Sequence, residues 1–185
     1  MAKKKGFNKY KIDGETTYIF MYNRKGEEFI TTIDTDDLQM LIDMNQHWHA
    51  AWHESPKCFY AQASEYIGDG RSNITYMMHR IIMEVENPLI SVDHRDYEGL
   101  NNKRYNLRIS SIPENVRHRE TKNSNNTSGY RNVTWDKRRE QWIVQLQVDG
   151  TNKVLGFFDK DQLEQAGRFA ELMREKYYGE FAGSN

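Results

Sequence analysis

Between Gln141 and Val148, apolar and polar side chains alternate strictly. Trp142, Val144, Leu146 and Val148 fall on one side, and Gln141, Ile143, Gln145 and Gln147 on the other. A period of two is that of a strand with one buried face. Asp149-Gly150 supplies a hairpin turn, and Lys153 to Phe158 returns as a further strand. Arg131 to Trp135 makes the first strand, ahead of the charged turn Asp136-Lys137-Arg138-Arg139-Glu140. Past Asp159, which can cap a helix, the period lengthens. Leu163, Ala166, Ala170, Met173 and Tyr177 recur at three-and-four spacing. Gly167 inside that run costs about 1 kcal/mol against Ala, which predicts close backbone packing onto the sheet. The expected unit, residues 130–182, is a three-stranded antiparallel sheet with one helix on its back.

The first half of the chain reads differently. Thr17 to Tyr22 and Glu28 to Thr32 form a hairpin around Asn23-Arg24-Lys25-Gly26. Thr35-Asp36-Asp37 has the character of a helix cap, and Leu38, Leu41 and Ile42 give a short amphipathic helix. His47 to Trp52 and Cys58 to Ala63 read as two more strands. Asn73 caps a helix expected to run to about Val85, where Asn87-Pro88 stops it. The basic segment Met1 to Lys11 is expected to fray, and Lys3, Lys4 and Lys5 are placed to touch phosphate. His47, His49, His53 and Cys58 follow no standard zinc spacing. They read as strand histidines flanking buried Trp48 and Trp52. His79, on the expected helix, either touches phosphate or is a satisfied core histidine.

The chemistry gathers in SVDHRDYEGLNNKRYNLRISSIPENVRHR, from Ser91 to Arg119. A β-branched run ends in Asp93-His94, a polar loop follows to about Tyr105, and Asn106-Leu107-Arg108-Ile109 forms a second short strand. Ser111 and Pro113 stand where the cap and first turn of a helix belong. The helix then carries Asn115, His118 and Arg119. Phosphodiester hydrolysis needs a base near neutral pH, and an imidazole such as His94 titrates there. Asp93 and the Asn115 amide are hard oxygen donors suited to Mg²⁺, with water and phosphate completing the shell. Adjacent strand residues point to opposite faces, so Asp93 and His94 serve metal and water together only if the strand end is distorted. Asn106 is placed to tie the loop and to hold the His94 ring by a hydrogen bond.

VDHR…NN…YNLRIS…ENVRHR resembles the HNH nuclease motif, in the variant found in phage and intron-encoded homing endonucleases. His94 stands twelve residues before Asn106 and twenty-one before Asn115, which fits that variant. The resemblance implies a ββα-metal fold with His94 as general base and Asn106 orienting it. Asp93 and Asn115 would ligate one Mg²⁺ (or Mn²⁺) per active site, and Arg117, His118 and Arg119 would clamp phosphate. Upstream, Tyr76 to Met83 is similar to the helix with a His-Arg pair that precedes the motif in this variant.

SGYRNVTWDKRREQWIVQLQVDG…KVLGFF, with its trailing helix, is similar to the ethylene-response-factor type of DNA-binding domain. That domain lays its sheet in the major groove. The sheet face not covered by the helix would then present Arg131, Thr134, Gln145, Gln147 and Asn152, with Arg138 and Arg139 at a turn; Lys122 and Lys153 are further expected DNA contacts. Amides suit adenine edges, and arginines suit guanine or phosphate. The plant domains place several arginines and tryptophans on this face, whereas this chain offers mainly glutamines, Thr134 and Val154.

Charge supports the same placement. The net charge is only −1, but residues 95–139 carry 11 Lys/Arg against 5 Asp/Glu. Residues 1–90 carry 10 against 13, and residues 140–185 carry 5 against 8. A basic stretch over the motif is the footprint of phosphate contacts. Lys122 opens the polar segment Lys122 to Gly129, which lacks apolar anchors and reads as a linker. The expected division is a nuclease domain over 1–121, a linker over 122–129 and a DNA-reading domain over 130–182. The fold class is α+β.

One cysteine, Cys58, excludes an internal disulfide framework and a four-cysteine zinc site. No apolar run approaches the roughly 20 residues of a spanning helix, and MAKKKGFNKYK lacks the apolar core of a secretory signal. The chain is therefore expected in the cytoplasm of a bacterial or phage-infected cell, on double-stranded DNA, without a membrane or a small-molecule cofactor. One site per monomer would nick one strand, and a double-strand break would take a dimer or two binding events. A catalytically silent DNA-binding regulator and a sequence-blind degradative nuclease are the competing readings.

Overall fold

A computed structural model describes residues 6–68, 73–118, 122–123 and 125–184. The chain divides into two compact units, Met1–Ile112 and Pro113–Asn185. Both are mixtures of small antiparallel sheets and helices, so the α+β class holds. No helix among the described residues is long and apolar enough to cross a membrane.

The first unit opens with the sheet β1 (Tyr10–Asp13), β2 (Thr16–Tyr22) and β3 (Glu28–Asp34), paired in that order. Alternation in β2 and β3 turns Thr17, Ile19, Met21, Thr31 and Ile33 inward. The four residues of β1 are all exposed, and its ladder against β2 holds Tyr10 and Lys11, at the end of the segment expected to fray. A 3₁₀ turn over Thr35–Asp37 leads into α1 (Leu38–Asp43), which buries Leu38 and Leu41.

The second sheet is β4 (His49–His53), β5 (Cys58–Tyr66) and β6 (Asn73–Met77). The helix expected from Asn73 begins only at Met78: α2 covers Met78–Ile82, and Asn73 to Met77 pair with β5 instead. Ile74 and Thr75 are β-branched and find a strand edge to join, and pairing outweighs the helical reading. Trp48 is fully buried as expected, but Trp52 is 47% exposed. The two-stranded ribbon of β7 (Ile90–His94) and β8 (Leu107–Ser111) completes the unit. Val92 and Leu107 anchor it in the same core as Ile19, Leu41, Trp48, Met78 and Ile82.

In the second unit, β9 (Val133–Asp136), β10 (Gln141–Val148) and β11 (Thr151–Phe158) form an antiparallel sheet with β10 central. Asp149 and Gly150 both take positive φ, as a tight primed hairpin turn requires. Helix α4 (Leu163–Tyr178) packs Ala166 and Ala170 against Val133 and Val144. The segment 122–129 is not a loose tether throughout. Ser128 Oγ donates to the Val133 carbonyl at 2.9 Å and the Asn126 amide to that of Tyr130 at 2.7 Å. Hydrogen bonds replace the apolar anchors the sequence lacks there. Helix α3 (Ile112–Arg117) lies at the boundary between the units, ahead of that segment.

Gly167 does mark a close approach, but to a side chain. A Cβ there would stand 2.3 Å from the Tyr130 ring and within 2.7 Å of two more of its atoms. Gly167→Ala is expected to destabilise the second unit by about 1–3 kcal/mol through overpacking, against the roughly 1 kcal/mol Ala gains in a helix. Urea unfolding followed by circular dichroism checks this. An unchanged midpoint would mean that the ring swings aside freely.

Candidate active site

The β7–β8 ladder runs through His94 without a bulge, pairing Asp93 with Arg108 and His94 with Leu107. The strand end is therefore regular, and the distortion on which joint service of Asp93 and His94 depends is absent. Asp93 and His94 leave opposite faces of the ribbon, and both are buried. On the Asp93 face, Arg108 Nε donates to Asp93 Oδ2 at 2.8 Å and Nη2 lies 2.6 Å from the same oxygen. The two cross-strand partners are each about as buried as the core around them. That pairing offsets the cost of burying an isolated carboxylate.

On the other face, His94 Nε2 lies 3.3 Å from Asn102 Oδ1. The Asn102 amide donates to Thr31 Oγ1 at 2.8 Å, and that hydroxyl donates to the Leu100 carbonyl at 2.7 Å. The chain of donors leaves Asn102 Oδ1 as the acceptor. His94 Nε2 therefore carries the proton, and Nδ1 keeps its lone pair. Asn106 has a different task from the one expected. Its amide donates to Asp96 Oδ1 at 2.8 Å and to the Asn101 carbonyl at 2.9 Å, and its oxygen accepts the Asp96 N–H. It ties the loop, as expected, but it makes no contact with the His94 ring. Asn102 does that instead. The Asn-Asn pair of the motif was the only sequence sign of it.

The loop is also fastened from outside. Thr32 and Asn101 form an isolated parallel bridge, flanked by Thr32 N–H to the Leu100 carbonyl and Asn102 N–H to the Thr32 carbonyl. Arg104 grips Asp37 through Nε and Nη2 at 3.0 and 2.7 Å. The Gly99 N–H donates to Cys58 Sγ at 3.2 Å, and a Cβ on Gly99 would meet the Phe59 carbonyl at 2.6 Å. Only glycine lets the loop lie this close to β5.

Around His94 stand His79, with ring centroids 5.0 Å apart, and Tyr60, at 5.6 Å. Burial lowers the His94 pKa, opposed by the Asn102 hydrogen bond and the Asp96 and Asp93 charges. His79 is held well below the usual imidazole range by burial, with the charges of His94, Arg80 and His53 pushing the same way. It is not a satisfied core histidine, since its Nδ1 is sequestered without a hydrogen-bond partner. His47, His49 and His53 form no metal centre: among the described residues no group of three or more His, Cys, Asp or Glu is placed to hold an ion. A carboxylate supplemented by an amide oxygen, water and phosphate is the donor set Mg²⁺ accepts.

The remaining residues singled out in the sequence lie in the second unit. Asn115 is half-buried on α3, and His118, just past it, is buried. The Arg117 guanidinium lies 4.7 Å over the Tyr178 ring. Arg119 lies outside the described residues, as do Lys3, Lys4 and Lys5. Lys122 is exposed. Arg131 is not on the free sheet face: it is 4% exposed and donates to the carbonyls of Arg117 and Ser184. Lys153 pairs in register with Leu146, so it issues from the α4 side of the sheet, 3.9 Å from Asp149. The face away from α4 carries Thr134, Ile143 and Phe157 in one row, then Gln145 beside Val154 and Gln147 beside Asn152. Arg139 is paired to Asp136 and lies 5.5 Å over Phe157, while Arg138 stands at the turn.

No family model and no solved structure matches the chain. Protein 3.8 of Escherichia phage T7 is 35% identical over 91 residues, which are 49% of this chain and 72% of the T7 protein. The chain belongs to the protein 3.8 family. A second viral relative, named an uncharacterized HNH endonuclease of Acanthamoeba polyphaga mimivirus, is 28% identical over 117 residues. That match spans 63% of this chain and 58% of the mimivirus protein.

The buried histidine gives this member of the protein 3.8 family a pH signature. His79 unfolded takes a proton near pH 6.5, while folded it does so only at lower pH. Stability is therefore full above about pH 6.5 and is lost as the pH falls towards the folded value, by up to about 1.4 kcal/mol per unit. His79→Phe is expected to flatten the fall in urea midpoint between pH 7.5 and 5. An equal fall in the variant would place the titration elsewhere.

Proposed function

We propose that this chain is a divalent-metal-dependent endonuclease acting on double-stranded DNA. The observation that carries the reading is His94: a buried imidazole whose Nε2 is committed to Asn102, leaving Nδ1 as the base. Its lowered pKa keeps it neutral at physiological pH. The HNH name of the mimivirus relative supports the same class.

In this reading His94 Nδ1 takes the proton of the attacking water, and Asn102 holds the ring so that the lone pair stays in place. Asn106 keeps the loop folded around it. Asp93 and Asn115 would hold one Mg²⁺ or Mn²⁺, which supplies positive charge for the leaving 3′-oxygen when bound; because the strand end is regular, Asp93 would have to turn from the opposite face of the ribbon to share a site with His94. Arg117, His118 and Arg119 would contact phosphate. The free sheet face of the second unit would read DNA through Thr134, Gln145, Gln147 and Asn152, with Arg138 and Arg139 towards phosphate. The resemblance to the ethylene-response-factor sheet supports that role, and it makes cutting addressed rather than indiscriminate. A single site nicks one strand, which suits a homing-type enzyme of a phage.

One observation favours a second reading. Arg108 occupies Asp93 Oδ2 in place of a cation, as it would in a DNA-binding protein that kept the nuclease scaffold without its activity.

Supercoiled plasmid with Mg²⁺ separates the two. Wild-type protein is expected to give open circles, EDTA to stop the reaction, and His94→Ala to slow it by about 10²–10⁴-fold. Equal cutting by His94→Ala would remove His94 as the base. Tight DNA binding without cutting by the wild type would favour the silent scaffold.

A further inference from the structure

We propose that Tyr60 contacts the substrate directly, its phenolic hydroxyl donating a hydrogen bond to a non-bridging oxygen of the phosphate attacked at His94. The inference rests on the nuclease reading above, and it adds a residue from β5 to a site otherwise built on the β7–β8 ribbon.

Tyr60 sits among three histidines. Its ring centroid is 5.1 Å from His53, 5.4 Å from His79 and 5.6 Å from His94. The ring is held on its remaining side by the loop, since a Cβ on Gly99 would stand 2.7 Å from Tyr60 Cδ1. Several nearby polar groups are committed, though His79 Nδ1 is not. His53 Nε2 meets Gln62 Oε1 at 3.4 Å, Cys58 Sγ accepts from Gly99, and the Asn102 amide is used at both ends. The Tyr60 hydroxyl makes no hydrogen bond to any described residue. Tyrosines half-buried against other rings ordinarily find a partner for that group. Here the donor is left for something the protein does not contain.

Distance says what that is. A water activated by His94 lies about 2.6–3.2 Å from Nδ1, and the phosphorus it attacks lies about 3–3.5 Å further. The phosphorus therefore lies about 6 Å from Nδ1, a distance comparable to the 5.6 Å between the Tyr60 and His94 rings, so a phenol beside His94 is in reach of its oxygens. Chemistry agrees. Burial, helped by the charges of Cys58 and Asp93, raises the Tyr60 pKa far above the working range. The hydroxyl stays a neutral donor at every pH at which His94 is a base. A neutral donor binds a phosphate oxygen without repelling a metal ion beside it.

Tyr60→Phe tests this, because it keeps the ring among the histidines and removes only the hydroxyl. In plasmid nicking with Mg²⁺, the variant is expected to lose at least about tenfold in kcat/KM. Inorganic phosphate gives a readout independent of cutting. Titrated without metal and followed by the NMR signals of the His79 and His94 rings, wild type is expected to shift saturably. The variant should need about tenfold more phosphate for the same shift. Equal phosphate titrations together with equal cutting would overturn the proposal and leave the nuclease reading standing. If the wild type cuts nothing, the nuclease reading fails, and the phosphate titration alone decides for or against the contact. Circular dichroism matching the wild type excludes unfolding of the variant.

Discussion

A buried primary amide has to spend both of its ends, or the fold loses the hydration it gave up. Asn102 is fully buried and uses both ends as well as its backbone: its backbone N–H on the Thr32 carbonyl, an amide N–H on Thr31 Oγ1, its oxygen on His94. Each bond fixes a different thing. The first sets the register of the loop against β3. The second orients the carboxamide, and through it the third decides which nitrogen of His94 carries the proton. Position, orientation and tautomer of the candidate base therefore follow from one residue.

The rest of the ribbon is braced in the same spirit. The stretch from Arg95 to Asn106 has little apolar content, and it is tied down by charge and by backbone contacts instead: Arg104 to Asp37, Lys103 to Thr16, Gly99 against β5. Loops that carry chemistry are ordinarily positioned by a rigid scaffold. Here the scaffold is the paired sheets of the first unit, whose core takes in Val92 and Leu107 on either strand of the ribbon. On the opposite face of the ribbon, Asp93 and Arg108 settle each other's charge in the interior. A buried pair of this kind is a weak source of stability but a strong penalty against losing one member.

The sequence was legible where burial follows a simple period. The alternation of β10, the Asp149-Gly150 turn and the helical spacing from Leu163 all correspond to observed elements. The β7–loop–β8 order was equally plain. It was illegible where tertiary pairing overrode local preference. Asn73 to Met77 became a strand because β5 offered an edge, and Tyr10 to Asp13, short and wholly exposed, became one by pairing with β2. Individual roles were harder still. Asn102 and Asn106 are both asparagines in one loop, and only the geometry tells which meets the imidazole. Arg131 looks like a surface arginine until its guanidinium is seen turned inward upon carbonyls.

That guanidinium has a mechanical meaning. Arg131 holds the carbonyl of Arg117, ahead of the sheet, and that of Ser184, beyond α4, while its own carbonyl accepts from the fully buried Arg174. The backbone entering the second unit and the backbone leaving it are thus knotted at a single side chain. A module fastened in this way behaves like a clasped purse rather than a spanning beam. It can be carried on another fold by one point of attachment, and tension along the chain is borne by the clasp before it reaches the sheet.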